Sequence, residues 1–246
     1  TWLGFSQIHF FCYQIDRAGF SIAEDRKQTL RDLPFPCTGT RGSKVTQMQR
    51  FLGFTLYFRT FVENYSKLTG SLHDMTKAAF DWDEKTWPVN YRGLFDDCKA
   101  ALLHCFKLIF PDYSLPWFLP PDASTTGCGY ICFQLRTHPD GTEVLEPIGC
   151  GSLKFSEVAQ RWETIKQETY AIYYAVKTMI YHLQFKAFMV RCDHRNIQYL
   201  ELSNVPILVR WRLFLQTVPM LGIIWEKGTN MLGGDYMSRL FSPTHN

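Results

Sequence analysis

The sequence predicts an α/β fold in its second half, with a mixed sheet that carries helices on its faces, and a mainly helical region in its first half. In the second half, three strand-like runs separated by turn residues precede alternating helix-like and strand-like segments, an order typical of a mixed sheet. In the first half, two segments repeat apolar residues at three- and four-residue spacing. With 246 residues and 46% hydrophobic content, the chain has enough apolar material for one large core or two modest ones.

The predicted elements of the first half are separated by Pro- and Gly-containing segments. In chain order they are a strand end at 8–13, a turn at 16–19 and a loop at 32–42. A helix at 43–61, capped by Ser43 or Thr46, follows, and then a second loop at 80–83 and a second helix at 91–105. A domain boundary is predicted near residues 111–115, which gives the parts 1–111 and 112–246.

The second half has a different pattern, in which Asp140 and Gly141 mark a turn between two predicted strands. Gly127 and Gly129 allow close approach of the backbone beside Asp122. The first predicted strand ends at residue 122, and four more span 127–135, 147–152, 187–192 and 221–225. The predicted helices span 158–183, 194–200, 211–218 and 234–240.

Four acidic residues lie where the apolar pattern predicts interior positions: Asp122, Glu168, Asp193 and Asp235. Asp122 and Asp193 each close an apolar, strand-like run. Glu168 comes three residues after Ile165 and four before Ile172, so it shares the apolar face of the predicted helix. Glu163 lies on the opposite face, where an acid is solvated.

An ionised carboxylate at an interior position is costly unless it is paired or bound to a metal. One such acid often caps a helix or pairs with Arg, but four at strand ends and on helix faces are hard to explain in that way. The arrangement therefore predicts the metal site of a two-metal nuclease.

The charge of the chain agrees with a polyanionic substrate without identifying one. The formal net charge is +3, and from Leu115 onward there are 12 basic and 11 acidic residues, four of which are the predicted site acids. A mildly basic surround favours nucleic acid near a metal site. Scattered Lys and Arg are, however, also typical of an ordinary solvated surface.

The eight cysteines contain no C-x-x-C pair and no neighbouring His at zinc-finger spacing. Disulfides and structural zinc are therefore not expected, and an intracellular reducing compartment fits this usage best. No apolar stretch approaches the roughly 20 residues that span a bilayer, so no membrane partner is predicted.

Six short segments carry recognisable motifs in a fixed order: 50–61 (RFLGFTLYFRTF), 80–82 (FDW), 122–129 (DASTTGCG), 166–172 (KQETYAI), 193–196 (DHRN) and 228–239 (GTNMLGGDYMSR). Together they resemble the C-terminal half of a gypsy-type LTR retrotransposon reverse transcriptase. The first two resemble its thumb signature and its F-x-W connector, and the other four resemble motifs of its ribonuclease H domain. Each motif alone is weak, but the ordered set is highly specific.

This resemblance implies an RNase H-like mixed five-stranded sheet with flanking helices, preceded by a palm remnant and a thumb/connection-like region in residues 1–111. It implies that Asp122, Glu168, Asp193 and Asp235 bind two Mg²⁺ ions, with Mn²⁺ as an alternative. The implied reaction is endonucleolytic hydrolysis of RNA in an RNA/DNA hybrid, in which one ion activates water and the other stabilises the leaving 3′-oxygen. The implied partners are RNA/DNA hybrid or RNA, and other protein subunits.

Three residues after the third acid have open roles. Arg195 and Asn196, at a predicted helix start, are candidates to bind a phosphate with the helix N-terminus, and ordinary surface positions are the alternative. His194 is expected to pack or hydrogen-bond, because a two-metal mechanism needs no protein base.

The sequence departs from the family pattern at two places beside the acids. Pro120 and Pro121 remove two amide donors from a predicted central strand, which predicts a distorted strand end. Gly233 and Gly234 precede Asp235 and loosen its predicted helix by up to roughly 1 kcal/mol for each Gly relative to Ala.

No Y-x-D-D polymerase motif occurs in the chain, so DNA synthesis is not expected from it. The chain is interpreted as a polyprotein fragment or as a truncated copy with another use. Besides the nuclease, the alternative hypothesis is a domesticated, catalytically silent RNase H-fold subunit, structural or RNA-binding, of a larger ribonucleoprotein assembly.

Overall fold

The computed structural model describes residues 4–225, without the side chains of residues 195, 196, 198 and 199. Asp235, the Gly233–Gly234 pair and the predicted helix at 234–240 lie outside the described residues. The chain divides after Lys107 into two compact units. No helix in the described range is both long enough and apolar enough to cross a bilayer.

The first unit combines a small antiparallel sheet with four helices. Its strands are β1 (Gln7–Phe10), β2 (Tyr13–Asp16) and β3 (Gly19–Ile22), paired in that order. Its helices are α1 (Glu24–Asp32), α2 (Arg41–Tyr57), α3 (Tyr65–Gly70) and α4 (Tyr91–Leu103), with 3-10 turns at Arg59–Phe61, Leu72–Thr76 and Glu84–Thr86.

The predicted turn after β2 is present, because the Asp16 carboxylate accepts hydrogen bonds from the amides of Ala18 and Gly19. The predicted cap of α2 was wrong: the helix begins two residues before Ser43, and the Thr40 hydroxyl accepts from the Ser43 amide. Helix α1 was not predicted, because Leu30 is its sole buried residue and the helix therefore has no apolar stripe.

The second unit is built around one sheet. The short strand β4 (Leu108–Ile109) comes first and is not part of this sheet. The strands of the sheet are β5 (Trp117–Leu119), β6 (Pro121–Ala123), β7 (Gly127–Thr137), β8 (Glu143–Lys154), β9 (Phe188–Cys192) and β10 (Met220–Trp225). Its helices are α5 (Glu157–Gln160), α6 (Thr164–Thr178), α7 (Ile180–Leu183) and α8 (Pro206–Leu215), with a 3-10 helix at Arg195–Leu202.

The main sheet is mixed, as predicted. β7 pairs antiparallel with β8 on one edge and with β5 and β6 on the other. β9 pairs in parallel with both β5 and β10. Because β5 and β6 follow each other along the same edge of β7, they form one interrupted strand. Within residues 4–225 the sheet therefore has five strand positions, in the order β8, β7, β5/β6, β9, β10.

The interruption falls at Pro120, between β5 and β6, where the sequence predicts a distorted strand end. Pairing resumes at once, since Pro121 is opposite Tyr130 and Asp122 is opposite Gly129. The strand is therefore broken without losing the register that positions Asp122. Nearby, a Cβ added to Gly127 would lie 2.4 Å from the Leu153 carbonyl oxygen, so the backbones of β7 and β8 approach closely there, while close approach beside Asp122 stays a prediction.

The segment 158–183, predicted to form one helix, contains three helices, α5 to α7. Glu163 is the N-cap residue of α6, and the Gln167 side chain donates to the carbonyls of Ala159 and Gln160, which ties α6 to α5. The predicted helix at 194–200 is a 3-10 helix, and α8 begins at Pro206 instead of at 211, with proline at a first-turn position that suits it.

β8 begins four residues before Pro147, where the predicted strand started. A register shift opposite Cys132 and Phe133 accommodates Pro147 and Ile148 inside the ladder. The core of the unit lies between the sheet and α6 with α8. It includes Trp117, Leu119, Ile172, Val176, Phe188, Val190, Trp211 and Leu215.

Candidate functional site: an acidic group at the end of the central strands

Glu168 is the buried member of the site. It lies on α6, and 2% of its surface is exposed, as the position between Ile165 and Ile172 predicts. Its neighbours Gln167 and Thr169 are also buried but bind carbonyl groups of the protein. Glu163, predicted to be solvated, is exposed at the start of the same helix.

Asp193 and His194 come directly after β9, and both side chains are half-buried. The His194 Nε2 atom lies 2.9 Å from Oε1 of Glu168. One potential ligand atom each from Glu168, Asp193 and His194 lies within 4.8 Å of the others. His194 thus makes a close polar contact with the buried acid, and its expected hydrogen-bonding role stays a prediction.

Asp122 approaches this group from β6, with its side chain exposed. Burial, and after it the negative charges of Asp122 and Asp193, raise the pKa of Glu168 to about 8. The same three acids contribute to raising the pKa of the Cys192 thiol, for which burial is the main cause. Asp122, Glu168 and Asp193 therefore act electrostatically on one region at the end of the sheet.

The structure thus brings together three of the four predicted acids, and Asp235 lies outside the described residues. The side chains of Arg195 and Asn196 are also outside the description, although their backbone begins the 3-10 helix directly after the site. Their assignment as phosphate-binding residues stays a prediction.

Trp225 is a further residue of the site that was not predicted from the sequence. Trp225, at the end of β10, donates its indole N–H to the backbone carbonyl of Asp193 at 2.8 Å. Trp225 is paired with Cys192 across the parallel strands, so its ring lies beside the turn that carries Asp193 and His194. An indole that ends a predicted edge strand is a usable signal, because a partly buried Trp N–H seeks an acceptor.

Trp225→Phe is expected to weaken the binding of a divalent ion to the folded protein, because it frees the Asp193 carbonyl while keeping an aromatic ring. The loss of the hydrogen bond should also lower the free energy of unfolding by about 1 kcal/mol. Trp117→Phe is the matched control, since the Trp117 indole donates to the Asp112 carbonyl at 3.0 Å near the start of β5. Calorimetric titration with Mn²⁺ and urea unfolding would measure both effects. Equal Mn²⁺ affinity in the two variants would contradict a positioning role for Trp225.

The donor set fits a hard divalent cation. Carboxylate oxygens are the ligands that Mg²⁺ and Mn²⁺ prefer, and a cation offsets the cost of a carboxylate that is 98% removed from solvent, as Glu168 is. The raised pKa of Glu168 has the same origin, because burial and the nearby negative charges of Asp122 and Asp193 all disfavour its ionised form.

A family model described as the RNase H-like domain found in reverse transcriptase matches residues 112–218. The chain is 27% identical over 242 residues to the Pol polyprotein of transposon 412 of Drosophila melanogaster, covering 94% of this chain and 18% of that protein. It is 23% identical over 247 residues to the Pol polyprotein of transposon opus of the same organism, covering 96% of this chain and 23% of that protein. The chain spans about a fifth of the length of these relatives.

Two solved structures share the fold. The foamy viral protease-reverse transcriptase in complex with dsDNA has a TM-score of 0.70 at 17% identity, covering 90% of this chain and 45% of that chain. The same protein in complex with RNA/DNA hybrid has a TM-score of 0.69 at 16% identity, covering 91% of this chain and 29% of that chain. These findings confirm the resemblance and the fold class predicted from the motifs. The chain resembles the reverse transcriptase–RNase H part of retrotransposon Pol polyproteins, and residues 112–218 match the RNase H-like domain found in reverse transcriptase.

Proposed function

We propose that the second unit is a metal-dependent ribonuclease H that cuts the RNA strand of RNA/DNA hybrids endonucleolytically. The observation that carries the proposal is the burial of Glu168 beside Asp193, in a position where folding alone gives no reason for an acid. Asp122, Glu168, Asp193 and the predicted fourth acid, Asp235, would hold two Mg²⁺ ions, with Mn²⁺ as an alternative. When bound, such ions make water a nucleophile at neutral pH and stabilise the leaving oxygen of a phosphodiester.

The protein's own contribution is to fix the carboxylates before substrate arrives. Glu168 is held by the packing of α6 on the sheet, and Asp193 is held by the β9 ladder and by the Trp225 hydrogen bond. Asp122 is held by pairing with Gly129 and lies at the exposed side, where a phosphate would enter. Exposure to solvent thus increases across the site, from the buried Glu168 through the half-buried Asp193 to the exposed Asp122.

Nucleic acid as the ligand is supported by the solved relatives, whose structures are complexes with dsDNA and with RNA/DNA hybrid. Arg195 and Asn196 are proposed to contact the phosphate backbone, because the 3-10 helix that they begin starts two residues after Asp193. Sequence-independent contacts of this kind suit an enzyme that acts along a hybrid.

The second candidate function is a catalytically silent RNase H-fold subunit, structural or RNA-binding, of a larger assembly. The observation that favours it is the position of Asp122, which follows the strand break at Pro120 and is not in the group of donors within 4.8 Å. A catalytic site must be held to within about 0.5 Å, so a displaced first acid would silence it.

Asp193→Asn is expected to lower the rate of hybrid cleavage by more than about 100-fold, because even residues that support metal ligands change activity by 10- to 100-fold. The measurement is cleavage of a labelled RNA/DNA hybrid with Mg²⁺ or Mn²⁺, with single-stranded RNA and duplex RNA as substrate controls. Asp96→Asn is the matched protein control, because Asp96 is exposed on α4 in the first unit. Cleavage that persists in Asp193→Asn would assign the activity to a contaminant, and a folded wild-type chain that cuts nothing would favour the silent subunit.

A further inference from the structure

We propose that His194 is a metal ligand, so that Glu168, Asp193 and His194 bind one divalent first-row transition ion through two carboxylates and one imidazole nitrogen. The inference rests on the proposed function for the existence of a metal site and adds a nitrogen donor to it. Its consequence is a shift of ion selectivity away from Mg²⁺ and towards transition ions such as Mn²⁺.

The geometry fits one ion shared by these three side chains. In an octahedral site with bonds of about 2.1 Å, adjacent ligand atoms lie about 3 Å apart and opposite ones about 4 Å apart. The distance between Nε2 of His194 and Oε1 of Glu168 is 2.9 Å, and all three donors lie within 4.8 Å of one another. These two atoms are therefore already spaced as two adjacent ligands.

The backbone holds the histidine in this place. The His194 amide donates to the Cys192 sulfur at 3.4 Å, and Trp225 fixes the carbonyl of the preceding residue, Asp193. The imidazole is half-buried, so it is partly removed from water and open to an ion entering from solvent. His194 reaches the buried carboxylate of Glu168, which places it at the inner end of the site.

The chemistry of the donors determines the selectivity. Mg²⁺ prefers oxygen ligands and retains much of its water, whereas imidazole is a good ligand for first-row transition ions. Replacing one oxygen donor by an imidazole therefore strengthens the binding of transition ions relative to Mg²⁺. The alternative role of His194 is that of a hydrogen-bond partner that leaves Glu168 when a metal binds.

The test is pulsed electron paramagnetic resonance of the full chain loaded with Mn²⁺. Imidazole coordination gives a ¹⁴N modulation, which changes to the ¹⁵N pattern when the protein is labelled with ¹⁵N-histidine. We expect this signal in the wild type, its loss in His194→Ala, and at least about a tenfold rise in the Mn²⁺ dissociation constant in that variant. His182→Ala is the control, because His182 belongs to α7 and its Nδ1 is bonded to the Tyr113 hydroxyl.

The outcomes separate this inference from the proposed function. If Asp193→Asn weakens Mn²⁺ binding but the wild type shows no nitrogen modulation, the ligand role of His194 is overturned and the metal site remains. If neither Asp193→Asn nor His194→Ala weakens Mn²⁺ binding, both the ligand role and the proposed metal site are overturned. The labelling experiment uses the wild-type chain, so the inference stays testable if His194→Ala does not fold.

Discussion

Replacing Glu168 by Gln is expected to remove hybrid cleavage and to raise the free energy of unfolding of the metal-free protein. The carboxylate is buried beside Asp193 and under the influence of Asp122, so its charge is unfavourable unless a cation is present. A neutral amide of the same shape keeps the packing of α6 and removes that charge. Activity should fall by more than about 100-fold, because a metal ligand is lost.

Glu163→Gln is the matched control for this substitution, since Glu163 is exposed on the same helix. We expect Glu163→Gln to leave cleavage unchanged and to alter the unfolding free energy by less than about 0.5 kcal/mol. Urea unfolding in the presence of a chelator and hybrid cleavage with Mn²⁺ would measure the two effects. A Glu168→Gln protein that is less stable than the wild type would show that Glu168 serves the fold and not a metal.

The stability of the metal-free protein is expected to decrease as pH rises from about 4.5 to about 8. The pKa of Glu168 is raised from its ordinary value, 4.5, to about 8 in the folded chain, chiefly by burial and then by Asp122 and Asp193. Between these two values the folded chain binds one more proton than the unfolded chain, so the unfolding free energy falls with pH. The contribution of this carboxyl is fully present below pH 4.5 and is lost as the pH passes about 8.

Unfolding curves at several pH values, for the wild type and for Glu168→Gln, would isolate this contribution. The difference in unfolding free energy between the two proteins should grow by a few kcal/mol across the interval. Saturating Mn²⁺ should restore the stability of the wild type near pH 8, because an ion that binds the folded chain stabilises it by mass action. A difference that stays constant with pH would mean that the folded chain does not raise the pKa of Glu168.

The placement of Glu168 was predictable because an ionised carboxylate is unfavourable on the buried, apolar face of a helix. Its position on that face can be recognised from the spacing of the apolar residues in a single sequence. Asp122 and Asp193 were predictable from their places at the ends of apolar runs. The interaction between His194 and Glu168 was not, because it joins two segments whose relative approach depends on how α6 packs on β9. The hydrogen bond from Trp225 to Asp193 depends in the same way on the parallel pairing of β9 and β10.

Helix boundaries were predicted less well than helix positions. Apolar spacing continues through residues 158–183, but Glu163 and Met179 are N-cap residues of new helices within that range. Breaks of this kind change the chain direction without interrupting the apolar stripe, so periodicity alone does not reveal them. The mixed sheet, in contrast, was predicted from the order of strand-like and helix-like segments. That order does not change when the predicted ends of the segments are wrong by several residues.

The bond between the Trp225 indole and the Asp193 carbonyl couples the edge of the sheet to its centre. β10 is the outermost strand beyond β9, and outermost strands open locally more readily than central ones. When β10 is paired with β9, Trp225 can donate its hydrogen bond to Asp193. A ligand that favours this hydrogen-bonded conformation of Asp193 therefore also favours the pairing of β10 with β9. Because such coupling is reciprocal, occupancy of the acidic group would protect the β10 amides from hydrogen exchange, and fraying of the edge would lower affinity by the same factor.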